Sequence, residues 1–166
     1  MLSVYLKVVS RNDASELIGS NLVNREFHAP WVTPFTDQVG FDLWFNRTIM
    51  GANVGLVARA VGNDEIVGVV NISEIVMGAF QSGYLGYYGT ARYSRQGSMG
   101  EALALAVSYA FEQLGLHRLE ANIQPENIAS IGLINNLGFT KEGMSPAYLR
   151  VNGEWRDHER WALLNK

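Results

Sequence analysis

The chain contains no cysteine, which excludes disulfides, thiol nucleophiles and thiolate metal sites and fits a reducing compartment. Charge is scarce as well. Only 17% of the 166 residues are charged and the formal net charge is −3, which argues against a domain that holds nucleic acid through a broad basic surface. Any anionic ligand must therefore be caught locally. Long apolar runs are missing too: "ALALAVSYAF" is about half the roughly 20 residues that a membrane span needs. The opening "MLSVYLKVVS" has no basic stretch ahead of its apolar residues, as a secretory leader would. The expectation is a cytoplasmic protein without membrane contact. Histidines number three, His28, His117 and His158, dispersed and without H-x-x-x-H spacing, so no metal is expected. No G-x-S-x-G is present, and a hydrolase serine has no support.

What is present is a chain that is 48% hydrophobic and long enough to bury a sizeable core, which predicts one domain over 1–166. "LSVYLKVV" reads as a strand and "NDASELIGSNLVNREF" as a helix, with Asp13 and Glu16 at capping-box spacing. After the proline-broken "HAPWVTPF", Thr36 is placed to cap a second helix that repeats Phe41, Trp44, Phe45 and Thr48 up to Gly51. "VGLVARAV", "EIVGVVNIS" and "SGYLGYYG" follow as three strands. A helix with Leu103, Val107, Phe111 and Leu114 on one face begins near Ser98 and Glu101, a second pair at capping-box spacing. "HRLEANIQ" is a strand, and "NIASIGLINNLG" a short helix with Asn127 at its cap and Gly138 past its end. Asn152 and Gly153 between two extended runs predict a closing hairpin. The class is α+β, with about seven strands and four helices and no repeats or linkers.

The stretch "ARYSRQGSMGEAL" sets a glycine-containing turn against a helix start, where unpaired N–H groups and the helix dipole attract phosphates and carboxylates. By itself such a turn is either a site or a plain turn.

The order of elements and the segments "YLGYY", "HRLEANIQPEN", "LGFTKEG" and "AYLRVNGEWRDH" resemble the acyl-CoA N-acetyltransferases of the GNAT superfamily, and within it the ribosomal-protein-alanine N-acetyltransferases of the RimJ/RimL type. "REFHAPWVTP" is similar to the tryptophan-proline loop of those enzymes. The resemblance implies a mixed, mostly antiparallel central sheet with a splayed parallel pair as the acyl-CoA cleft. It implies acetyl-CoA as cosubstrate, no metal, and an acceptor that is a protein N-terminus or, alternatively, a small amine such as a polyamine, an aminoglycoside or an amino acid. A non-catalytic module that holds coenzyme A or a peptide is the third reading, and monomer and homodimer both stay open.

Carried onto this chain, the family's phosphate loop, Q/R-x-x-G-x-G/A, falls on Ser94 to Met99, where only Gly97 matches. Arg95 stands where many members have a second glycine. The implied pyrophosphate cradle is Arg95, Gln96, Gly97, Ser98, Met99 and Gly100, with the Arg95 guanidinium able to pair with phosphate. The resemblance also implies an oxyanion donor among the backbone N–H groups near Tyr87 and Tyr88, Asn127 as a ligand of the pantetheine arm, and Ser130 as a hydroxyl near the thiol. It implies Glu142 as general base, and Trp31 as a wall of the peptide entrance. Glu74 is the alternate base at the acceptor and Tyr148 an alternate acid. Each residue also has an ordinary reading: Asn127 as a helix cap, Ser130 and Glu142 as solvated positions, Glu74 and Tyr148 as plain strand residues, Trp31 as packing.

Overall fold

The computed structural model describes residues 2–166. Seven strands form one sheet in the order β1-β2-β3-β4-β5-β7-β6. They are β1 (Val4–Val8), β2 (Val54–Ala60), β3 (Ile66–Val76), β4 (Ser82–Gly89), β5 (Arg118–Ile123), β6 (Thr140–Val151) and β7 (Glu154–Leu164). All neighbours are antiparallel except β4 and β5. Five α-helices cover the sheet, one more than the sequence predicts: α1 (Ala14–Val23), α2 (Arg25–His28), α3 (Gln38–Ile49), α4 (Ser98–Ser108) and α5 (Ile128–Asn136). The extra helix arises because the predicted first helix breaks at Asn24, whose Nδ2 donates to the Ser20 carbonyl at 2.8 Å and whose Oδ1 accepts from Ala91 N–H at 2.8 Å.

Strand alternation sorts the core into two layers. Val57 and Val69 face α1 and α3, where they meet Leu17, Phe41 and Phe45. Leu56, Val70 and Leu85, with Leu119, Ala121 and Trp161, face α4 and α5 and bury Leu103, Ala106 and Ile134. Among the described residues no helix is long and apolar enough to cross a membrane.

Three caps differ from the spacing read off the sequence. Asp13 pairs with Ser10, not Glu16, closing a capping box one turn earlier, its carboxylate accepting from Ser10 N–H at 2.7 Å. That shift frees Glu16 to join Asp13 on the buried Arg59 guanidinium, at 2.9 and 3.1 Å respectively. Asp37 rather than Thr36 caps α3, accepting from Gly40 N–H at 2.7 Å. Ser98 is the first residue of α4 rather than its cap, and Glu101 accepts from Val4 N–H at 3.2 Å, joining β1 to α4. The predicted cap of α5 and hairpin of β6 and β7 are present as read, with Asn127 accepting from Ser130 N–H at 3.3 Å and Asn152 and Gly153 at φ 51° and 80°.

Candidate active site

The parallel pair is short. Only Ser82, Gly83 and Tyr84 are in register with Arg118, Leu119 and Glu120, yet β4 runs on to Gly89 and β5 to Ile123. Beyond Tyr84 the strands diverge, so the β5-facing backbone groups of β4 have no strand partner. Between them lies a cleft of about 540 Å³, walled by both strands, the α4 and α5 starts and the α2 loop.

At one end stands the α4 turn. Gly97 (φ 79°) precedes the first helical residue, and Arg95 sits at φ 58°, a left-handed conformation that an L side chain adopts only at a cost. Ser98 is fully buried and its Oγ has no hydrogen-bond partner; Thr90 Oγ1 is sealed and unpartnered too, and both residues line the cleft. Orphaned hydroxyls beside an uncapped helix start are what a bound phosphate would satisfy. Met99, in place of the family's small residue, turns its thioether onto the β3–β4 pair, over Gly68 and Gly89, which are register partners. The bulk of Met99 is thus taken up by two glycines across the sheet.

Further along, the Tyr87 and Ser130 hydroxyls meet at 2.5 Å across the splay. Burial pushes the Tyr87 phenol up to about 12, its bond to Ser130 acting weakly in the opposite sense, so the hydroxyl keeps its proton. Burial raises the Tyr88 phenol as well. Arg95, Gly97, Ser98, Met99, Gly100, Asn127, Ser130, Tyr87, Tyr88 and Trp31 all line the cleft.

Gln96, Glu74 and Glu142 do not line it. Gln96 is exposed and its amide donates to the Arg92 carbonyl at 2.9 Å. Glu74 is exposed on a bulge of β3 at φ 49°, its N–H held by Asn53 at 3.1 Å. Glu142 lies on β6 and forms a bidentate ion pair with Arg118 at the opposite end of β5 from the cleft. Arg118 holds the Glu142 carboxyl below its usual range, so it is a committed ion-pair partner there.

Two histidines that the sequence leaves scattered line the cleft instead. His28 is 4% exposed; its Nε2–H donates to the Gly89 carbonyl at 2.7 Å and its Nδ1 is sealed without a partner. Burial pushes its imidazole below the ordinary value, against the opposing pull of the Gly89 bond. His158 is also 4% exposed, and its Nδ1–H donates to the Arg156 carbonyl at 2.9 Å. Asn122, a third lining residue absent from the sequence reading, has a sealed, unpartnered Oδ1. Period-2 alternation in "RLEANI" and "EWRDHERW" is the signal that puts Asn122 and His158 on one face of the sheet, opposite Ala121 and Trp161.

The family model for the acetyltransferase (GNAT) domain matches residues 4–140. The [ribosomal protein uS5]-alanine N-acetyltransferase of Escherichia coli is 34% identical over 169 aligned positions, covering 95% of this chain and 86% of that protein. Among solved structures, the ribosomal-protein-S5-alanine acetyltransferase of Vibrio fischeri superposes with a TM-score of 0.88 at 26% identity, over 98% of this chain and 93% of that one. Mycobacterium smegmatis RimJ in complex with CoA-disulfide does so with 0.85 at 28%, over 97% and 81%. Vibrio cholerae spermidine N-acetyltransferase shares the fold at 20% identity with a TM-score of 0.82, over 97% of this chain and 95% of that one. The turn at α4, the splayed pair and these matches together make the chain a member of the GNAT family of acetyl-CoA-dependent N-acetyltransferases.

Proposed function

We propose that the protein acetylates the N-terminal α-amino group of a protein, a ribosomal protein by its likeness to the E. coli relative. The observation that carries this reading is the charge of the cleft: among the described residues its lining holds no aspartate or glutamate, and Arg95 is its one permanent charge. A polyamine carries several positive charges and calls for carboxylates; Glu120, on β5, is held by Arg118 at 2.8 Å and Arg160 at 3.3 Å. An α-amine, with a pKa of roughly 7.7–8.0, is already about a tenth neutral near pH 7, whereas a lysine amine near 10.4 is not. A site poor in carboxylates suits the first.

Acetyl-CoA supplies the activated acetyl thioester. The protein's share is to hold and polarise it. The α4 N–H groups, the Ser98 hydroxyl and the Arg95 guanidinium receive the pyrophosphate. The Asn127 side chain is positioned beside the pantetheine arm. N–H groups alternate between the two edges of a strand, so one of the consecutive Tyr87 and Tyr88 amides faces the open edge and serves the developing oxyanion. Tyr87 and Ser130 share one hydroxyl proton between them, which leaves the other free to hydrogen-bond the departing sulfur. A phenol at about 12 does not yield its proton to a thiolate near 8.5, so this pair stabilises by hydrogen bonding rather than proton transfer.

Intact-mass and fragment analysis tests the reading with three acceptors: a peptide with a free N-terminal alanine, the same peptide N-terminally blocked but carrying lysine, and spermidine. Acetylation of the free peptide at its α-amine, with kcat/KM at least tenfold above the others, is expected. Preference for spermidine would replace it with the small-amine reading.

A further inference from the structure

We propose that His158 is the general base that takes the proton of the acceptor amine; this rests on the acetyl-transfer reading above. The pairing of β5 with β7 ends at Ile123 opposite Glu159, so His158 stands one residue past the last rung, where the cleft begins. Trp161 packs into the α4–α5 core, and alternation therefore puts His158 and Arg160 on the other face. The same rule applied to β5, whose Leu119, Ala121 and Ile123 are in that core, puts Asn122 with them. An amine approaching the splay from this side meets one acceptor that lacks a protein partner.

It is His158 Nε2. Because Nδ1 faces the Arg156 carbonyl at 2.9 Å it must carry the hydrogen, which leaves Nε2 the bare lone pair; no described residue donates to it. The ring is fixed in place. Asp157 accepts from Ala147 N–H at 2.8 Å and holds the β6 bulge that presents Tyr148 to His158, ring centroids 6.4 Å apart. The titratable and charged groups around it are Tyr148 on β6, Arg156, Asp157, Glu159 and Arg160 on β7, Glu120 bonded to Arg160 from β5, Tyr88 on β4, and His28 from α2.

In the step, one ammonium proton passes to His158 Nε2. The nitrogen lone pair then forms the amide bond to the acetyl carbon, the C–S bond breaks, and its electron pair leaves on sulfur. The imidazolium returns its proton to solvent, and the thiolate takes up the proton that the newly bonded nitrogen sheds as it becomes a neutral amide.

His158→Asn keeps a donor near the Nδ1 position while removing the base. With the alanine peptide at pH 6.5, kcat/KM should fall about 10²–10⁴-fold. The deficit should narrow toward pH 9 as the amine, with a pKa of roughly 7.7–8.0, supplies its own neutral form. Calorimetry with acetyl-CoA separates the two readings: lost cosubstrate binding in the wild-type protein overturns acetyl transfer itself, whereas intact binding with H158N within threefold of wild type overturns only the base. Should H158N fail to fold, ¹⁵N-histidine spectra of the unliganded wild-type protein decide. An Nδ1–H tautomer at His158 is expected, and an Nε2–H tautomer overturns the proposal.

Discussion

The thioether of Met99 lies so close over Gly68 that a Cβ built on that glycine would meet Sδ at 2.5 Å and the Tyr88 carbonyl oxygen at 2.6 Å. At Gly89, its register partner, a Cβ would meet Met99 Cγ at 3.0 Å, Met99 Sδ at 3.5 Å and the Val67 carbonyl at 3.7 Å. The two glycines therefore answer differently to added bulk. Gly68→Ala should destabilise by about 1–3 kcal/mol whether or not Met99→Ala is also present, because a backbone oxygen stays in the way. Gly89→Ala should cost clearly less once Met99→Ala has removed its neighbour. A double-mutant cycle by chemical denaturation measures both; additive Gly89 and Met99 effects would show that the thioether does not fill that space.

Arg95 keeps a left-handed φ of 58° where glycine would be unstrained. Arg95→Gly should raise the unfolding free energy by up to about 1 kcal/mol. Both Arg95→Gly and Arg95→Ala should weaken acetyl-CoA binding by about 1.5–3 kcal/mol if the guanidinium meets the pyrophosphate. Thermal unfolding and calorimetry read the two effects separately, and unchanged affinity would return Arg95 to solvent.

Ser130→Ala and Tyr87→Phe remove one hydroxyl each from a pair 2.5 Å apart. Each should lower kcat and kcat/KM together by roughly ten- to a hundredfold, about 1.4–2.7 kcal/mol, with acetyl-CoA affinity nearly intact. The double variant should be little worse than either single one, since the hydroxyls act as a unit. Glu142→Gln, at the far end of β5, should stay within threefold of wild type across pH 6–9. A rate loss in E142Q that recovers toward pH 9 would restore Glu142 as the base.

Asp13 and Arg59 are both buried, at 4% and 5% exposure, and bonded at 3.1 Å. Burial disfavours the Asp13 charge, but the Ser10 N–H and the Arg59 guanidinium outweigh it and hold the carboxyl below its usual value. The folded pKa is depressed, so the stability it confers is present above the usual carboxylate range and is lost as pH falls through the folded value. Asp13→Ala should destabilise by about 1–3 kcal/mol at pH 7, since the buried guanidinium loses one of its two carboxylates and keeps only Glu16 and the Asp64 carbonyl. Urea titrations from pH 7 down to pH 2 should show the gap between wild type and variant closing at the acid end; a constant gap would exclude the charge pair as its source.

His28 has its imidazole depressed by burial, so folding favours the neutral ring. Its contribution is complete above the usual imidazole value of roughly 6.5 and is lost as pH falls below it. His28→Phe should flatten the dependence of stability on pH below about 6.5. Persistence of the slope would assign it to another group.

The elements were largely legible because they obey local rules. Apolar period 2 in "SGYLGYYG" and "RLEANI", the Asn127 cap with Gly138 beyond α5, and Asn152–Gly153 between β6 and β7 involve residues no more than a dozen apart. Two of the caps failed where a distant partner competed: Asp13 is held by Arg59, 46 positions away, and Glu101 by Val4, 97 positions away.

The candidate site divides along the same line. The α4 turn, Asn127 and Ser130 are carried by short motifs whose backbone geometry follows from neighbouring residues, and all of these but Gln96 of the turn line the cleft. Glu142 and Glu74 sit in equally recognisable stretches, yet ion pairing with Arg118 and a β3 bulge keep them out of it. His28 and His158 are 130 positions apart in the sequence and share the cleft because α2 closes over one face of the sheet while the order β5-β7-β6 brings the last hairpin beside the splayed pair. Strands, helices and the turn before α4 can be read from the chain a few residues at a time, since propensity, capping and periodicity act over that range. Which acid or base faces the amine follows instead from strand order and register, because burial of the whole sheet sets them and they choose which side chains meet.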